Sequence, residues 1–318
     1  MIDLTLDGAS GDRMAKEETE QLATRLTAVE ETLKQLTDNT KAISSLLTRL
    51  GLGRQVQTLQ EMFHTQLMKD PRYQPPKRLQ RFERQVFSQN GEDGIIQEIF
   101  NRIGTESKSF LEIGIEDGRE TNTTWLLQKG WRGVWIDGNQ NATKRAAREF
   151  ARPIGEGRLV VETASVTAEN IGGLLEKIHF AGEFDLLSLD IDRNTFFVWQ
   201  ALRLLRPRVV VIEYNAIIPP EQDWRVEYVA ERGWNGTSYF GASLKAYETL
   251  GRELGYCLVG CETLGVNAFF IRQDLVGDHF AAPFTSENHY EPPRYFLVRT
   301  VGHPRGFDDA ASQPPVQR

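Results

Sequence analysis

Cysteine is nearly absent: Cys257 and Cys261 are the only two in 318 residues. That excludes a disulfide scaffold and suits a reducing compartment. A C-x3-C pair without a nearby histidine cluster is also a poor zinc pattern, so two half-buried strand thiols are expected. No apolar run is long enough to cross a bilayer, and the acidic start "MIDLTLDGASGDR" lacks the apolar core of a secretory leader. A cytoplasmic protein without a membrane span is expected. An excess of positive charge is missing too. Lys and Arg number 37 against 44 Asp and Glu, a net charge of −7, which argues against nucleic acid or an anionic membrane as partner. Neither a G-x-G-x-x-G turn nor a P-loop ending in G-K-[ST] occurs, which counts against a nicotinamide-dependent oxidoreductase and a nucleotide hydrolase. No internal repeat is visible. The remaining composition, 40% apolar and 25% charged, is that of a globular chain able to form one sizeable α/β domain with an appendage.

The appendage comes first. Leu22, Leu26, Val29, Leu33, Leu36, Ile43, Leu47 and Leu50 alternate at gaps of three and four when Thr40 fills the missing place. With a at 26, 33, 40 and 47 and d at 22, 29, 36, 43 and 50, this is a narrow heptad seam. It fits a partner helix, and hence a homo-oligomer, better than a broad core; packing on the chain's own domain is the other reading. The expected organisation is a helical coiled-coil segment over 1–70, a proline-broken linker over 71–84, a main domain over 85–302 and a flexible tail over 303–318. Across the main domain, near-continuous apolar runs alternate with helical stretches: "SFLEIGI", "RGVWID", "GRLVVETAS", "FDLLSLDID" and "PRVVVIEYN" read as strands. Such runs are parallel strands covered on both faces. "CLVGCET" and "VNAFFIRQD" lie too close for a crossover and must be antiparallel. The fold class is therefore α/β: a Rossmann-like, doubly wound, mostly parallel seven-stranded sheet with a terminal antiparallel hairpin.

The stretch "FLEIGIEDGRETNT" carries a strand into a turn. Gly114 and Gly118 allow close backbone approach to a ligand. Glu112, Glu116 and Asp117 would repel a pyrophosphate, which wants bare N–H groups. They suit a cofactor with a cationic amine, ribose hydroxyls and no phosphate, such as S-adenosylmethionine. Asp137 ends the next strand, where an acid can accept both hydrogen bonds of a ribose diol. Glu116 and Asp117 have two open readings: facing that amine, or capping the helix that begins near Thr121.

From about Phe87 to Asp274 the chain resembles class I S-adenosylmethionine-dependent methyltransferases, within them the FkbM-like group and its relatives around polysaccharide biosynthesis. "SQNGEDG", "FLEIGIEDGRETNT", "GVWIDGN", "LLSLDID" and "VVVIEYN" carry the resemblance. It implies that Glu112, Gly114 and Gly118 line the methionine part of the cofactor and that Asp137 holds the ribose. It also implies that Ala164 and Ser165 flank the adenine and that Ser88 and Gln89 cap the molecule. In that group small residues often stand where this chain has Glu116 and Asp117.

Methyl transfer needs an acceptor aligned with the methyl group and a base for its proton. Asp190, Asp192 and Asn194 end the fourth strand, and Glu213 and Asn215 the fifth. This hard-oxygen set suits Mg2+ or another divalent cation at Asp190, Glu213 and Asn215, with Asp190 and Asp192 as the catalytic acids. The arrangement is similar to catechol O-methyltransferase, with a one-residue difference in spacing and no lysine where that enzyme keeps its base. The competing reading is structural: Asp190 and Asp192 cap the helix near Asn194, and Glu213 pairs with Arg208 or another cation. The aromatic insert "AIIPPEQDWRVEYVAERGWNGTSYFGAS" suits a sugar-like acceptor or a packed lid. The expected activity is O-methylation of a hydroxyl on a glycan or small metabolite. The alternative is a non-catalytic scaffold that keeps a degenerate form of the fold.

Overall fold

The computed structural model describes residues 21–22, 24–42, 52–180 and 183–297. The chain divides into two units, Met1–Met62 and Phe63–Arg318. In the first, residues 24–42 are helical and exposed throughout. Leu22, Leu26, Val29, Leu33 and Leu36 are each more than half exposed along it. The helix Leu52–Leu67 spans the division between the units. Ile43, Leu47, Leu50 and the expected tail over 303–318 lie outside the described residues.

The second unit is built on a seven-stranded sheet: β1 Ser109–Ile113, β2 Arg132–Asp137, β3 Leu159–Thr163, β4 Leu186–Leu189, β5 Val209–Glu213, β6 Tyr256–Cys261 and β7 Asn267–Arg272. The order is β3-β2-β1-β4-β5-β7-β6. All neighbours are parallel except β7, which runs antiparallel to both β5 and β6. The fold is thus α/β and Rossmann-like, a mostly parallel mixed sheet with an antiparallel hairpin, as the apolar runs and the short last connection predict.

Side chains alternate between two buried layers, one on each face. Leu111, Ile113, Val210 and Ile212 enter one; Phe110, Val209, Val211 and Trp135 enter the other. Each fully buried side chain of this size contributes about 2 kcal/mol. Strand order reverses between β1 and β4, and in open α/β sheets that reversal opens a crevice at the carboxyl ends of the strands.

The segment 71–84, expected as a linker, is packed against the domain instead. Its prolines do break the helix, and short 3-10 turns form at Pro71–Tyr73 and Gln80–Phe82. Tyr73, Leu79 and Gln80 are buried. The Gln80 amide donates to the Cys261 carbonyl at 2.9 Å. The anchor is Glu291, fully buried. Its carboxylate accepts from the Tyr73 hydroxyl at 2.7 Å and from Arg294 at 2.8 Å, and Arg72 lies 3.3 Å away. Replacing Glu291 with alanine removes the one acid shared by these three groups. The expected loss, read from urea unfolding, is about 3 kcal/mol, the usual cost of breaking a buried ion pair from one side.

Candidate functional site

A cavity of about 600 Å³ opens at the carboxyl ends of β1 to β4. Each strand delivers its end or its next residues to it: Gly114–Glu116 after β1, Asp137 at the end of β2 with Gly138 and Asn139, Ala164–Val166 after β3, Asp190–Asp192 after β4. Gln89 adds one wall, and Ala230–Gly233 of the aromatic insert another. Six carboxylates (Glu116, Glu120, Asp137, Asp190, Asp192, Glu231) line it against two guanidiniums, Arg145 and Arg232. That balance disfavours a phosphorylated guest.

Gly114 sets the geometry. Its φ of +85° is open to glycine, and a Cβ there would stand 1.5 Å from the Asp190 carbonyl oxygen. The turn after β1 therefore presses directly on the end of β4. Asp137 holds the same turn from the other side. Its Oδ2 accepts from the N–H groups of Ile115 and Glu116 at 3.0 and 2.8 Å, and its Oδ1 from Asn139 N–H at 2.7 Å. A carboxylate oxygen accepts about two hydrogen bonds, so Oδ1 keeps one position for a guest. Two cavity residues, Glu116 at φ +49° and Asp192 at φ +59°, are non-glycine residues in the left-handed region. Such conformations cluster at functional sites, where surrounding contacts hold them.

Beside the cavity, carboxylate oxygens of Asp190, Asp192 and Glu213 lie within 4.8 Å of one another. Among the described residues no basic side chain pairs with any of them. Arg208 goes to Asp185 at 3.2 Å, and Arg193 to the Glu227 carbonyl at 3.0 Å. Asn194 starts the following helix without a side-chain cap, so neither structural pairing expected for these acids is found. Asp190 sits deep among protein atoms, yet its carboxylate remains open to the cavity. This enclosure, then the charge of Asp192, pushes its pKa up to about 6. Enclosure followed by Asp190 and Asp192 holds Glu213 well above the usual carboxylate range, and burial raises Asp192. Glu213 Oε2 is buried with no hydrogen-bond partner. Asp190 and Glu213 are hydrogen-bonded to each other, and three acids without a cationic partner among the described residues, with one orphaned oxygen, fit a divalent cation.

Other expected site residues go elsewhere. Asn215 is fully buried and ties down the insert: its amide donates to the Ser238 and Phe240 carbonyls at 2.9 and 3.0 Å, and Oδ1 accepts from Ile217 N–H at 3.2 Å. Asp192 takes the place expected for it beside Asp190 and Glu213. Ser88 is buried and bonded to Asp93. Gly118 faces the rings of Trp135 and Phe150, where a Cβ would come within 2.9 Å of both. Neither Ser88 nor Gly118 lines the cavity. Asp117 pairs with Arg145 at 3.7 Å, while Glu116 lines the cavity. The helix Thr124–Gln128 begins at Thr123 without a side-chain cap, so neither acid caps it. Asn194, outside the expected catalytic and metal sets, lines the cavity with its Oδ1 buried and unpartnered. Its Nδ2 donates to the Val229 carbonyl at 2.9 Å, which ties the insert to the end of β4.

Glu112 also lies outside the cavity, buried beneath the turn on the face that carries Phe110 and Trp135. Its Oε1 accepts from Asn122 N–H at 2.9 Å and from the Ser188 hydroxyl at 3.1 Å, and its Oε2 accepts from the Thr123 hydroxyl. Thr123 in turn accepts from the Trp135 indole N–H at 2.8 Å. Burial pushes the Glu112 pKa up to about 7, against these donors.

No family model and no curated protein matches the chain. Several solved structures are similar at low identity. The N-terminal domain of EvdMO1 with SAH bound is 13% identical over 60% of this chain and 81% of that one, with a TM-score of 0.37. The methyltransferase domain of bacterial CtHen1-C is 14% identical over 56% and 95%, at 0.36. The O-methyltransferase from Bacillus cereus in complex with SAH is 16% identical over 68% and 89%, also at 0.36. Scores of this size carry no argument on their own; the fold rests on strand order and register.

The raised pKa of Glu112 gives a direct test of its burial. An acid whose folded pKa is raised stabilises the fold below its ordinary pKa, near 4.5, and that contribution is lost as pH rises through about 7. The rise corresponds to roughly 3 kcal/mol. Urea midpoints measured at pH 5 and pH 8 should differ less in Glu112→Gln than in the wild type, because glutamine does not titrate.

Proposed function

We propose that the protein is an S-adenosylmethionine-dependent methyltransferase that methylates a hydroxyl of a glycan or small metabolite, assisted by a divalent cation. The observation that carries this reading is the acid-lined cavity at the strand-order reversal, continuous with the acids Asp190 and Asp192. The finer placement, in the FkbM-like group, rests on the five sequence stretches that carry the resemblance.

In this reading Gly114 and Glu116 face the amino-acid end of the cofactor, Asp137 Oδ1 accepts from a ribose hydroxyl, and Ala164 and Ser165 flank the base. Asp190, Asp192 and Glu213 hold the cation. Bound there, the cofactor supplies an electrophilic methyl group and the cation supplies positive charge that lowers the pKa of an acceptor hydroxyl. Asp192 would give the cation one carboxylate oxygen, and its other oxygen, exposed at the cavity, would accept the acceptor's proton. Asn194 Oδ1 accepts a hydrogen bond from the acceptor. The insert Ala230–Gly233 excludes water over the reacting groups.

Calorimetric titration with S-adenosylmethionine should show one site per chain. Asp137→Ala should weaken it by about 10- to 100-fold, the cost of a hydrogen bond to a charged acceptor together with a loosened turn. NAD should give no heat. A flat titration with S-adenosylmethionine would defeat the proposal in favour of a non-catalytic scaffold.

Metal affinity has its own pH dependence. The ligands bind as carboxylates, so Mn2+ affinity, read by electron paramagnetic resonance, should fall as the pH drops through about 6 and Asp190 takes up a proton, with protonation of the likewise raised Glu213 weakening it further. Asp190→Asn should abolish the strong site while leaving cofactor binding within about threefold.

A further inference from the structure

The first unit carries a feature that methyl transfer does not use. Its helix over 24–42 has an apolar stripe made of Leu26, Val29, Leu33 and Leu36, with Leu22 just before it. These residues are 55–63% exposed. Their spacing is the two-in-seven seam of a coiled coil rather than the wider stripe of a helix lying on a core. The next seam position is Thr40, the only polar side chain at an a or d place among the described residues of the stripe. Its hydroxyl donates to the Leu36 carbonyl at 2.8 Å. It therefore enters an apolar interface with its donor already satisfied, and the usual penalty for burying a hydroxyl falls away.

The flanking positions indicate which helix covers the stripe. In the seam register Arg25 occupies g and Glu30 the following e. Among the described residues no ion pair engages either. In a parallel, in-register coil, g of one helix faces the next e of its partner, so Arg25 meets Glu30 of a second copy, and the pair repeats by symmetry. An antiparallel arrangement sets g against g, leaving Arg25 to face Thr32, Asn39 or another Arg25. The next g–e pair in the parallel register, Thr32 with Thr37, is neutral. Both hydroxyls are satisfied within their own helix, donating to Ala28 and Leu33 carbonyls at 2.8 Å.

We infer that the exposed Leu22–Leu36 stripe is the interface of a parallel, in-register coiled coil between copies of this chain, oriented by Arg25 of one copy against Glu30 of the next. The seam pattern selects a helix as the occupant. The self-complementary g and e charges select a second copy and its direction.

Sedimentation of the full-length chain tests this. The wild type should have a mass of two or more chains and dissociate on dilution. Leu33→Asp, which puts a charge in the seam, should reduce it to one chain, while Gln35→Asp on the outer face leaves the mass unchanged. Arg25→Glu sets like charges at g and e, and should raise the dissociation constant about fivefold. Adding Glu30→Arg should restore it. A wild type of single-chain mass at every concentration, as when the stripe is covered by its own chain, overturns the proposal. So does an assembly that survives Leu33→Asp. An assembly lost with Leu33→Asp but indifferent to both charge variants overturns the parallel register.

Discussion

The contact of Gly114 with the Asp190 carbonyl is the constraint on which the candidate site depends. A strand end normally leaves room for a side chain, and here there is none: any Cβ at position 114 would collide with the backbone of β4. Two turns that could have stood apart are forced together, one bringing Glu116 and the other Asp190 and Asp192 to the same cavity. The same contact explains why residue 114 takes a conformation that only glycine adopts readily. Asp137 completes the frame by receiving the two N–H groups that follow.

Around that frame, charge is left unresolved on purpose-built ground. Most ionic groups elsewhere in the second unit find partners: Glu291 has two arginines, Asp185 has Arg208, and Asp93 accepts three backbone N–H groups. Asp190, Asp192 and Glu213 have only one another. Mutual repulsion at this range costs stability unless a proton or an external cation relieves it. The proposed cation would relieve this imbalance.

The sheet was readable because its strands are short, apolar and separated by helices, and because Cys261 and Asn267 are too close for anything but a reversal of direction. Asp137, Asp190 and Glu213 were readable as strand ends. Glu112 was misplaced because its strand is buried on both faces. No polar alternation marks which way a carboxylate two residues before the turn will point. Asn215 was misplaced because its partners lie more than twenty residues on, in an insert whose return path has no local sign. Asp192 was visible as an acid, but its approach to Glu213 depends on a left-handed backbone that the sequence does not announce. The docking of 71–84 was hidden for a related reason. Prolines reveal where a helix ends, while the buried acid that receives the segment comes some 220 residues later.

That docking bears on where the second unit can be cut. A protein begun at residue 85, the boundary that composition suggests, would lack Tyr73, Leu79 and Gln80. Glu291 would then keep Arg294 as its remaining arginine and lose the tyrosine hydroxyl, and Leu79 would no longer cover Gly260 on β6. Such a fragment would expose apolar surface at the edge strand of the sheet, where chains of this kind begin to aggregate. Beginning it at Phe63 keeps the segment that seals that edge.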